Sequence, residues 1–327
     1  MSLPRALPWQ AAQLARFRAA RQAGRVSHAM LLSGPSGVGK RAFADTVAAS
    51  LFCEQPSADF DACGTCRSCT LFAAGTHPDW SLLQPEEDKR DIAIESVRGL
   101  CERLAQSAQL RRAKIACFDP ADALNTNGIN ALLKTVEEPP PDSYVLLLSA
   151  RPQALPATLR SRCQRIEFPV PSAADAEAWL ALRLPDSEPA RRKAALKLAF
   201  GAPMTAAALL ESGGVDRAEE WRRILDELAA GRVDPLAAAA RALPDRDTQK
   251  EDSRAFVRCL LLESSDRLRA QLLSGASGQP SAAGLDRLQQ GCLDTLRNLD
   301  RNANILLAIE SLMLAWRALF VRRAETA

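Results

Sequence analysis

Short apolar runs alternate with longer amphipathic stretches along the first half of the chain. Helical periodicity is found over residues 40–52, 94–108 and 121–137. Between these stretches lie four apolar runs, which are bounded by turn residues and are too short for helices. They are HAMLL (28–32), DWSLL (79–83), KIACF (114–118) and YVLLLS (144–149). Strands that alternate with helices in this way predict crossover units and a parallel sheet covered on both faces.

After about Pro171 the strand pattern disappears and helical periodicity takes over. SAADAEAWLALRL and RRKAALKLAF both predict helices, and the second ends at Gly201, a residue suited to a helix C-cap. From roughly Ser212 onward the chain is rich in Ala, Leu and Arg, and the stretch SGASGQPSAAG (274–284) predicts a loop by its composition.

The last predicted helix carries the clearest apolar stripe, with a spacing of three to four residues. Its members are Ile305, Ile309, Leu312, Met313, Trp316, Leu319 and Phe320. We expect this stripe to pack on its own domain, as most amphipathic helices do; a subunit interface is the alternative.

Composition and charge restrict the class of protein. At 327 residues the chain exceeds what one hydrophobic core usually supports, so we expect two or three domains. A net charge of +3 neither demands nor excludes nucleic acid, and it argues against a polybasic membrane surface. The sequence shows no signal-peptide core and no window long and apolar enough for a membrane span, so we expect a cytoplasmic protein without membrane partners.

The stretch LLSGPSGVGKRAFA (31–44) resembles a phosphate-binding P-loop, which is Gly, four residues, Gly, Lys and then Ser or Thr. It supplies the glycines and the lysine as Gly34, Gly37, Gly39 and Lys40. In such a loop, backbone N–H groups and the lysine hold the phosphates of ATP or ADP. Arg41 stands where a hydroxyl would hold Mg²⁺, so the motif is degenerate. Nucleotide binding and a tight turn without a ligand both remain open.

The run KIACFDPADALN offers the second half of an ATPase site, a strand followed by Asp119. In related ATPases a Glu follows this Asp and polarises the attacking water, whereas here Pro120 follows it. With the hydroxyl missing as well, we expect no hydrolysis at this site. Asp119 also fits a helix N-cap, with Pro120 at the first helical position.

Four of the nine cysteines form a C-x9-C-x2-C-x2-C array that follows the helix predicted over residues 40–52. They are Cys53, Cys63, Cys66 and Cys69. In a reducing compartment clustered cysteines indicate metal rather than disulfides, and four thiolates suit a structural, tetrahedral Zn²⁺ site. Coincidental clustering is the alternative. The other five are expected to be small buried hydrophobes, namely Cys101, Cys117, Cys163, Cys259 and Cys292.

Four stretches together strongly resemble the bacterial DNA polymerase III clamp-loader subunits, which are AAA+ proteins with a zinc module in the first domain. They are CGTCRSC (63–69), AGTHPDW (74–80), NALLKTVEEPP (130–140) and ATLRSRCQ (157–164). The resemblance covers about the first 170 residues. It implies an α/β AAA+ domain over 1–168 with an inserted zinc module, a small helical lid domain over 169–208, and an all-α collar domain for oligomerisation over 209–327.

Within that family the chain differs from the gamma and tau motor subunits at Arg41, at Pro120 and at Met204, where the motors carry a sensor arginine. This combination resembles the delta-prime members, which do not hydrolyse ATP. The resemblance implies that Arg162, in the Ser-Arg-Cys motif, projects into the ATP site of a neighbouring subunit as an arginine finger; Arg160 is a less favoured substitute. It also implies gamma/tau and delta subunits as partners, and the beta sliding clamp and primed DNA through the complex.

Two other functions remain as alternatives. One is an active AAA+ clamp-loader ATPase of the gamma/tau type, which would hydrolyse ATP alone. The other is a zinc-dependent nucleic-acid-binding protein, which would bind DNA as a monomer in a salt-sensitive way. His28 and His77 are expected to be structural hydrogen-bonding residues rather than ligands, because the cysteine set is already complete.

Overall fold

The computed structural model describes residues 3–86, 89–110, 112–244, 249–274, 280–299 and 304–320. The chain folds as two compact units. The first comprises residues 1–188 with 199–207, and the second comprises residues 189–198 with 208–327. The three-part division inferred from the sequence stays a prediction.

The first unit is built on a parallel sheet of five strands. They are β1 (Ala29–Ser33), β2 (Trp80–Leu83), β3 (Lys114–Phe118), β4 (Ser143–Ser149) and β5 (Gln164–Glu167), in the spatial order β2-β3-β4-β1-β5. The four strands predicted from apolar runs are confirmed. The sequence did not reveal β5, because this edge strand is mostly exposed and contains Ile166 as its one large apolar residue.

Helices precede, connect and follow these strands. They are α1 (Ala11–Gln22), α2 (Lys40–Phe52), α3 (Arg67–Ala73), α4 (Ile94–Ala105), α5 (Thr126–Glu137), α6 (Ala157–Arg160) and α7 (Ala173–Arg183). The predicted helix over 121–137 begins five residues late, since the side chain of Asn125 accepts the N–H of Gly128 and so caps α5 there. The N-cap interpretation of Asp119 is therefore wrong.

One large core cluster of the first unit lies on the sheet face covered by α4 and α5. Alternate strand residues, such as Leu31 and Leu147, point to this face and are almost fully buried. From the helices, Val97, Leu100 and Leu132 pack against the same cluster. Because the strands are parallel, the carboxyl ends of β1, β3 and β4 lie at the same end of the sheet, and the loops that follow them lie side by side there.

The second unit is helical. Its long elements are α8 (Pro189–Leu198), α10 (Gly214–Ala229), α11 (Pro235–Ala242), α12 (Gln249–Ser274), α13 (Ala282–Leu299) and α14 (Ile305–Ala318), and α9 (Pro203–Glu211) runs from the first unit into it. Residues 275–279 of the predicted loop lie outside the described residues, and the loop is shorter than predicted because α13 already begins at Ala282.

The apolar stripe of α14 is buried within the second unit. Ile309, Leu312, Met313 and Trp316 are at most 5% exposed. The indole Nε1 of Trp316 donates to the carbonyl oxygen of Leu225 in α10 over 2.9 Å, which satisfies the polar end of this buried ring. Packing on its own domain, the first interpretation of the stripe, is therefore correct for these four residues.

A search of the described helices finds none that alone combines the length and the apolar composition needed to cross a membrane; α8 and α9 meet the criterion only as a bent pair.

Candidate functional site

The turn between β1 and α2 has the backbone of a P-loop. Gly37 and Gly39 adopt φ angles of 78° and 89°, a left-handed region that favours glycine. A Cβ atom at Gly37 would collide with the side chain of Thr205, and one at Gly39 would collide with Leu7. Both positions therefore favour glycine by conformation, and at Gly37 the backbone nitrogen of Thr205, 2.9 Å from such an atom, also leaves no space for a side chain.

Neighbouring segments hold this turn in place. The indole of Trp9 donates to the carbonyl of Val38 over 3.0 Å, and the amide of Gln10 donates to the carbonyl of Gly39 over 2.8 Å. The backbone N–H of Met204 donates to the carbonyl of Gly37 over 2.9 Å. Sequence reasoning missed Trp9 and Gln10, because no local motif connects them with a loop almost thirty residues away.

Lys40 lies inside the curve of the turn. Its Nζ donates to the carbonyl oxygens of Gly34 and Pro35 over 2.6 and 2.7 Å, and the residue is 9% exposed. Burial lowers the pKa of the Lys40 ammonium below its ordinary value, while the carboxylates of Asp119 and Asp122 oppose this shift. The structure thus brings Gly34, Lys40 and Asp119 to one site, as the motifs predicted.

Arg41 lies between two carboxylates, those of Asp45 and Asp119. Its Nε lies 2.8 Å from Asp45 Oδ1, and its Nη1 lies 3.4 Å from Asp119 Oδ2. The guanidinium also lies over the ring of Trp80, 5.8 Å from the ring centroid. Asp119 therefore has a fixed cation as its partner. Sequence reasoning missed Asp45, although its spacing of four residues from Arg41 on a helix was visible.

Asp122 is the next carboxylate along the chain after Asp119, and it has a structural role. Its Oδ2 accepts the backbone N–H groups of Ala150 and Arg151 over 2.8 and 3.1 Å, and its Oδ1 accepts the hydroxyl of Ser149. These bonds connect the segment after β3 to the end of β4. The carboxylate of Asp122 therefore holds two loops together. Pro120, which stands where related ATPases have a Glu, supplies no carboxylate.

Arg162 follows α6 at the surface of the first unit. Its Nε lies 2.7 Å from Glu137 Oε1, and its Nη1 donates to the carbonyl of Thr158 over 2.8 Å. The side chain is 40% exposed. Cys163 beside it is buried in the core and anchors the turn, so Arg162 projects outward from a fixed point.

The four cysteines of the array come together between α2 and α3. Each offers one Sγ, and the four atoms all lie within 4.8 Å of one another. The Sγ atoms of Cys63 and Cys69 are 3.9 Å apart, close to the ~3.8 Å edge of a tetrahedron with Zn–S bonds of about 2.3 Å. The donor set and its spacing therefore fit a tetrahedral zinc ion.

Hydrogen bonds and burial affect these thiols differently. The N–H groups of Thr65 and Cys66, which donate to Cys63 Sγ, lower the pKa of that thiol to about 6. Burial raises the pKa of Cys53 and of Cys69. The lowered pKa favours the thiolate form of Cys63, which binds metals, whereas Cys53 and Cys69 would each release a proton on binding one.

The scattered cysteines and the histidines behave as predicted from the sequence, apart from one partial exception. Four of the five scattered cysteines are buried, and Cys101 is half-buried. His28 Nε2 lies 2.8 Å from the carbonyl oxygen of Val136. His77 stacks on Phe52 with 3.8 Å between the ring centroids, and its Nδ1 accepts the N–H of Asp79.

Comparisons with known proteins identify the family. The family model described as "DNA polymerase III, delta subunit" matches residues 9–172. The "DNA polymerase III subunit delta'" of Pseudomonas aeruginosa is 40% identical over 241 residues, which cover 72% of each chain. The protein of the same name from Escherichia coli is 38% identical over 204 residues, covering 62% of this chain and 60% of that one.

A solved structure supports the fold. A DNA polymerase III gamma subunit-related protein from Thermotoga maritima superposes with a TM-score of 0.53 at 17% identity, covering 94% of this chain and all of that one. At this identity the match shows the fold alone. Together with the parallel sheet and the helical second unit, it confirms the predicted fold class, a parallel α/β domain followed by a helical region. The family model and the two bacterial relatives establish that the chain belongs to the DNA polymerase III delta-prime subunit family.

Proposed function

We propose that this chain is a ring member of a clamp loader that does not hydrolyse ATP, and that it completes the ATP site of a neighbouring motor subunit with Arg162. Its partners are then the gamma/tau and delta subunits, and through the complex it helps to load the beta sliding clamp onto primed DNA. The ion pair between Arg41 and Asp119 is the observation that carries the proposal.

This ion pair engages the carboxylate that would support a metal ion in a working P-loop site. A working P-loop holds Mg²⁺ with the hydroxyl after the lysine, and the strand aspartate supports the ion. Here a guanidinium, which cannot bind a metal as a ligand, takes up the Asp119 carboxylate and adds a like charge where a divalent cation would sit. A nucleotide held by Gly34, Gly37, Gly39 and Lys40 would therefore stay intact.

Arg162 is suited to act on another subunit. Its contact with Glu137 is an exposed ion pair, and such pairs contribute about 0–1 kcal/mol, so releasing the guanidinium costs little. An arginine supplied in trans stabilises charge on the transferring phosphoryl group and accelerates such reactions by about 10³–10⁵. The short α6 turn, anchored by the buried Cys163, presents this side chain to solvent.

The cysteine cluster is proposed to hold a structural zinc ion. Cys53, Cys63, Cys66 and Cys69 supply four thiolates, which complete a tetrahedral site and leave no position for a substrate. The three-part organisation of AAA+ domain, lid and collar belongs to the same proposal, with boundaries after residues 168 and 208.

ATP hydrolysis by the purified chain tests the absence of motor activity. We expect phosphate release with Mg²⁺ to stay at the background of a buffer control. Arg41→Thr should remain at that background too, because Pro120 still provides no carboxylate for the attacking water. Turnover by the unmodified chain at the rate of a motor subunit would contradict the proposal and favour the gamma/tau-type alternative.

A further inference from the structure

A cavity lies at the end of the sheet opposite the P-loop turn. Its volume is about 470 Å³, and residues that precede β1, β3 and β4 contribute to its lining. Val26, Ala113 and Asp142 are examples, and the end of α1 adds Arg21. The amino ends of parallel strands lie opposite their carboxyl ends, so this cavity is separate from the candidate nucleotide pocket.

Two arginines line the cavity, and contacts outside it fix both of them. Arg21 is half-buried, its Nη1 donates to the hydroxyl of Ser50, and its guanidinium lies 5.0 Å from the ring centroid of Phe60. Arg112 is exposed, and its Nη2 donates to the backbone carbonyl of Glu54 over 2.9 Å. We call this cavity the Arg21–Arg112 pocket.

These two charges have no carboxylate partner. Neither arginine forms an ion pair with any residue that the structure describes. The carboxylate of Glu54 is turned elsewhere, where its Oε1 accepts the N–H and the hydroxyl of Ser68 over 3.1 and 3.2 Å. Burial and the nearby charge of Arg112 lower the pKa of Arg21 below its ordinary value. The fold thus holds two like charges near each other.

The rest of the lining is compatible with an anion. Asp142 is a single carboxylate against two guanidinium groups, so the charged lining keeps a net positive charge. Tyr144 is half-buried, and its hydroxyl makes no hydrogen bond within the described part of the chain, which leaves it available as a donor. A cavity of this size falls within the range of small-ligand sites, about 300–1,000 Å³.

We propose that the Arg21–Arg112 pocket binds a phosphate group. Two guanidinium groups with planar arrays of N–H donors match the geometry of phosphate oxygens, and an anion would relieve the repulsion between them. The phosphate can come from the free ion or from the backbone of a nucleic-acid strand. The proposal is independent of nucleotide binding at the P-loop and of Arg162.

Calorimetric titration of the full chain with inorganic phosphate tests the proposal. The chain carries Lys40→Ala, so that the P-loop lysine does not contribute. Adding Arg112→Gln should weaken phosphate binding about tenfold or more, since hydrogen bonds to charged groups are worth roughly 1.5–3 kcal/mol. The matched control Arg98→Gln removes an exposed arginine of α4 and should change the affinity less than about twofold.

A competition arm separates the two sources of phosphate. If a nucleic-acid strand is the ligand, a short single-stranded oligonucleotide displaces phosphate and loses affinity with Arg112→Gln. If the free ion is the ligand, the oligonucleotide does not displace it. Both results support the pocket as a phosphate site. Thermal unfolding of each variant verifies that it is folded, which the exposure of Arg112 favours.

Three results would overturn the proposal. The first is no binding at about 10 mM phosphate, well above the concentration that a millimolar site needs. The second is an equal loss of affinity with Arg112→Gln and Arg98→Gln, which would indicate a general charge effect. The third is a pair of results: Arg112→Gln leaves phosphate binding unchanged, and Arg21→Gln loses zinc. That pair would indicate that Arg21 balances the charge of the nearby Cys53 thiolate and does not bind phosphate.

Discussion

A single residue, Arg41, changes the chemistry that is available at the P-loop turn. Its guanidinium lies 2.8 Å from Asp45 and 3.4 Å from Asp119, so both carboxylates have a partner before any ligand arrives. The neighbouring Lys40 keeps its place in the turn. The loop therefore retains the shape of a P-loop while losing the group that recruits a metal.

His77 is a buried titratable residue with one unsatisfied nitrogen. Its Nδ1 accepts the N–H of Asp79, so Nε2 carries the proton, yet Nε2 is buried without a hydrogen-bond partner among the residues that the structure describes. Burial lowers the pKa of His77 below its ordinary value of about 6.5. Above about pH 6.5 His77 is neutral in both the folded and the unfolded chain. As the pH falls below that value, the unfolded chain protonates His77 before the folded chain does, so the free energy of unfolding decreases as the pH decreases.

We therefore expect the melting temperature to drop between about pH 7 and pH 5.5, and to drop less in His77→Asn. Asparagine can still accept the N–H of Asp79 but does not titrate, so the slope with pH is informative even if the variant is less stable. His28 is present in both proteins and cancels in the comparison. Thermal unfolding across this pH range is the measurement, and equal slopes would contradict this account of His77.

At the scale of elements, the cysteine module consists of a short helix and the loop before it. Helix α3 has seven residues, which is too short to be stable by itself, and its N-cap is Cys66, whose sulfur accepts the N–H of Cys69. Three of the four ligands lie at or just before this helix. Metal binding and the folding of α3 are therefore expected to be coupled.

Cys66→Ser should lower the zinc content of the purified chain from one ion to a small fraction of that value and expose residues 53–77 to proteolysis. The cause is loss of one of four thiolates, together with loosening of the segment that they hold. Metal analysis and limited proteolysis are the measurements. Cys101→Ser, outside the cluster, is the matched control and should keep its zinc. A full complement of zinc in Cys66→Ser would refute the four-cysteine site.

Elements with a strong local pattern could be predicted, and elements that depend on distant partners could not. The apolar runs predicted four strands, and the cysteine spacing predicted the cluster of four thiols. Strand β5 was not predicted, because it is short and mostly exposed and because its pairing with β1, not its sequence pattern, defines it. The start of α5 was placed too early because its pattern extends into a 3₁₀ turn at Ala121–Ala123, whereas the cap at Asn125 decides where the helix begins.

At the scale of the whole molecule, the site combines residues from several parts of the sequence. The P-loop turn contacts Asp119 at the end of β3 and Met204 after Gly201, and the sequence motifs identified the first two of these segments. The contacts that hold the turn, from Trp9, Gln10 and Met204, could not be predicted, because they depend on how the chain folds back onto itself.

The central claim is that this chain supplies a guanidinium to the ATP site of another subunit. ATP turnover of the complex reconstituted with its motor subunits tests this claim most directly. We expect Arg162→Ala to assemble normally and to remove the contribution of the one site that Arg162 serves, because an arginine in trans is worth about 10³–10⁵ in rate there. Arg160→Ala, two residues away, is the matched control and should keep most of the turnover. Unchanged turnover with Arg162→Ala in a fully assembled complex would contradict the account.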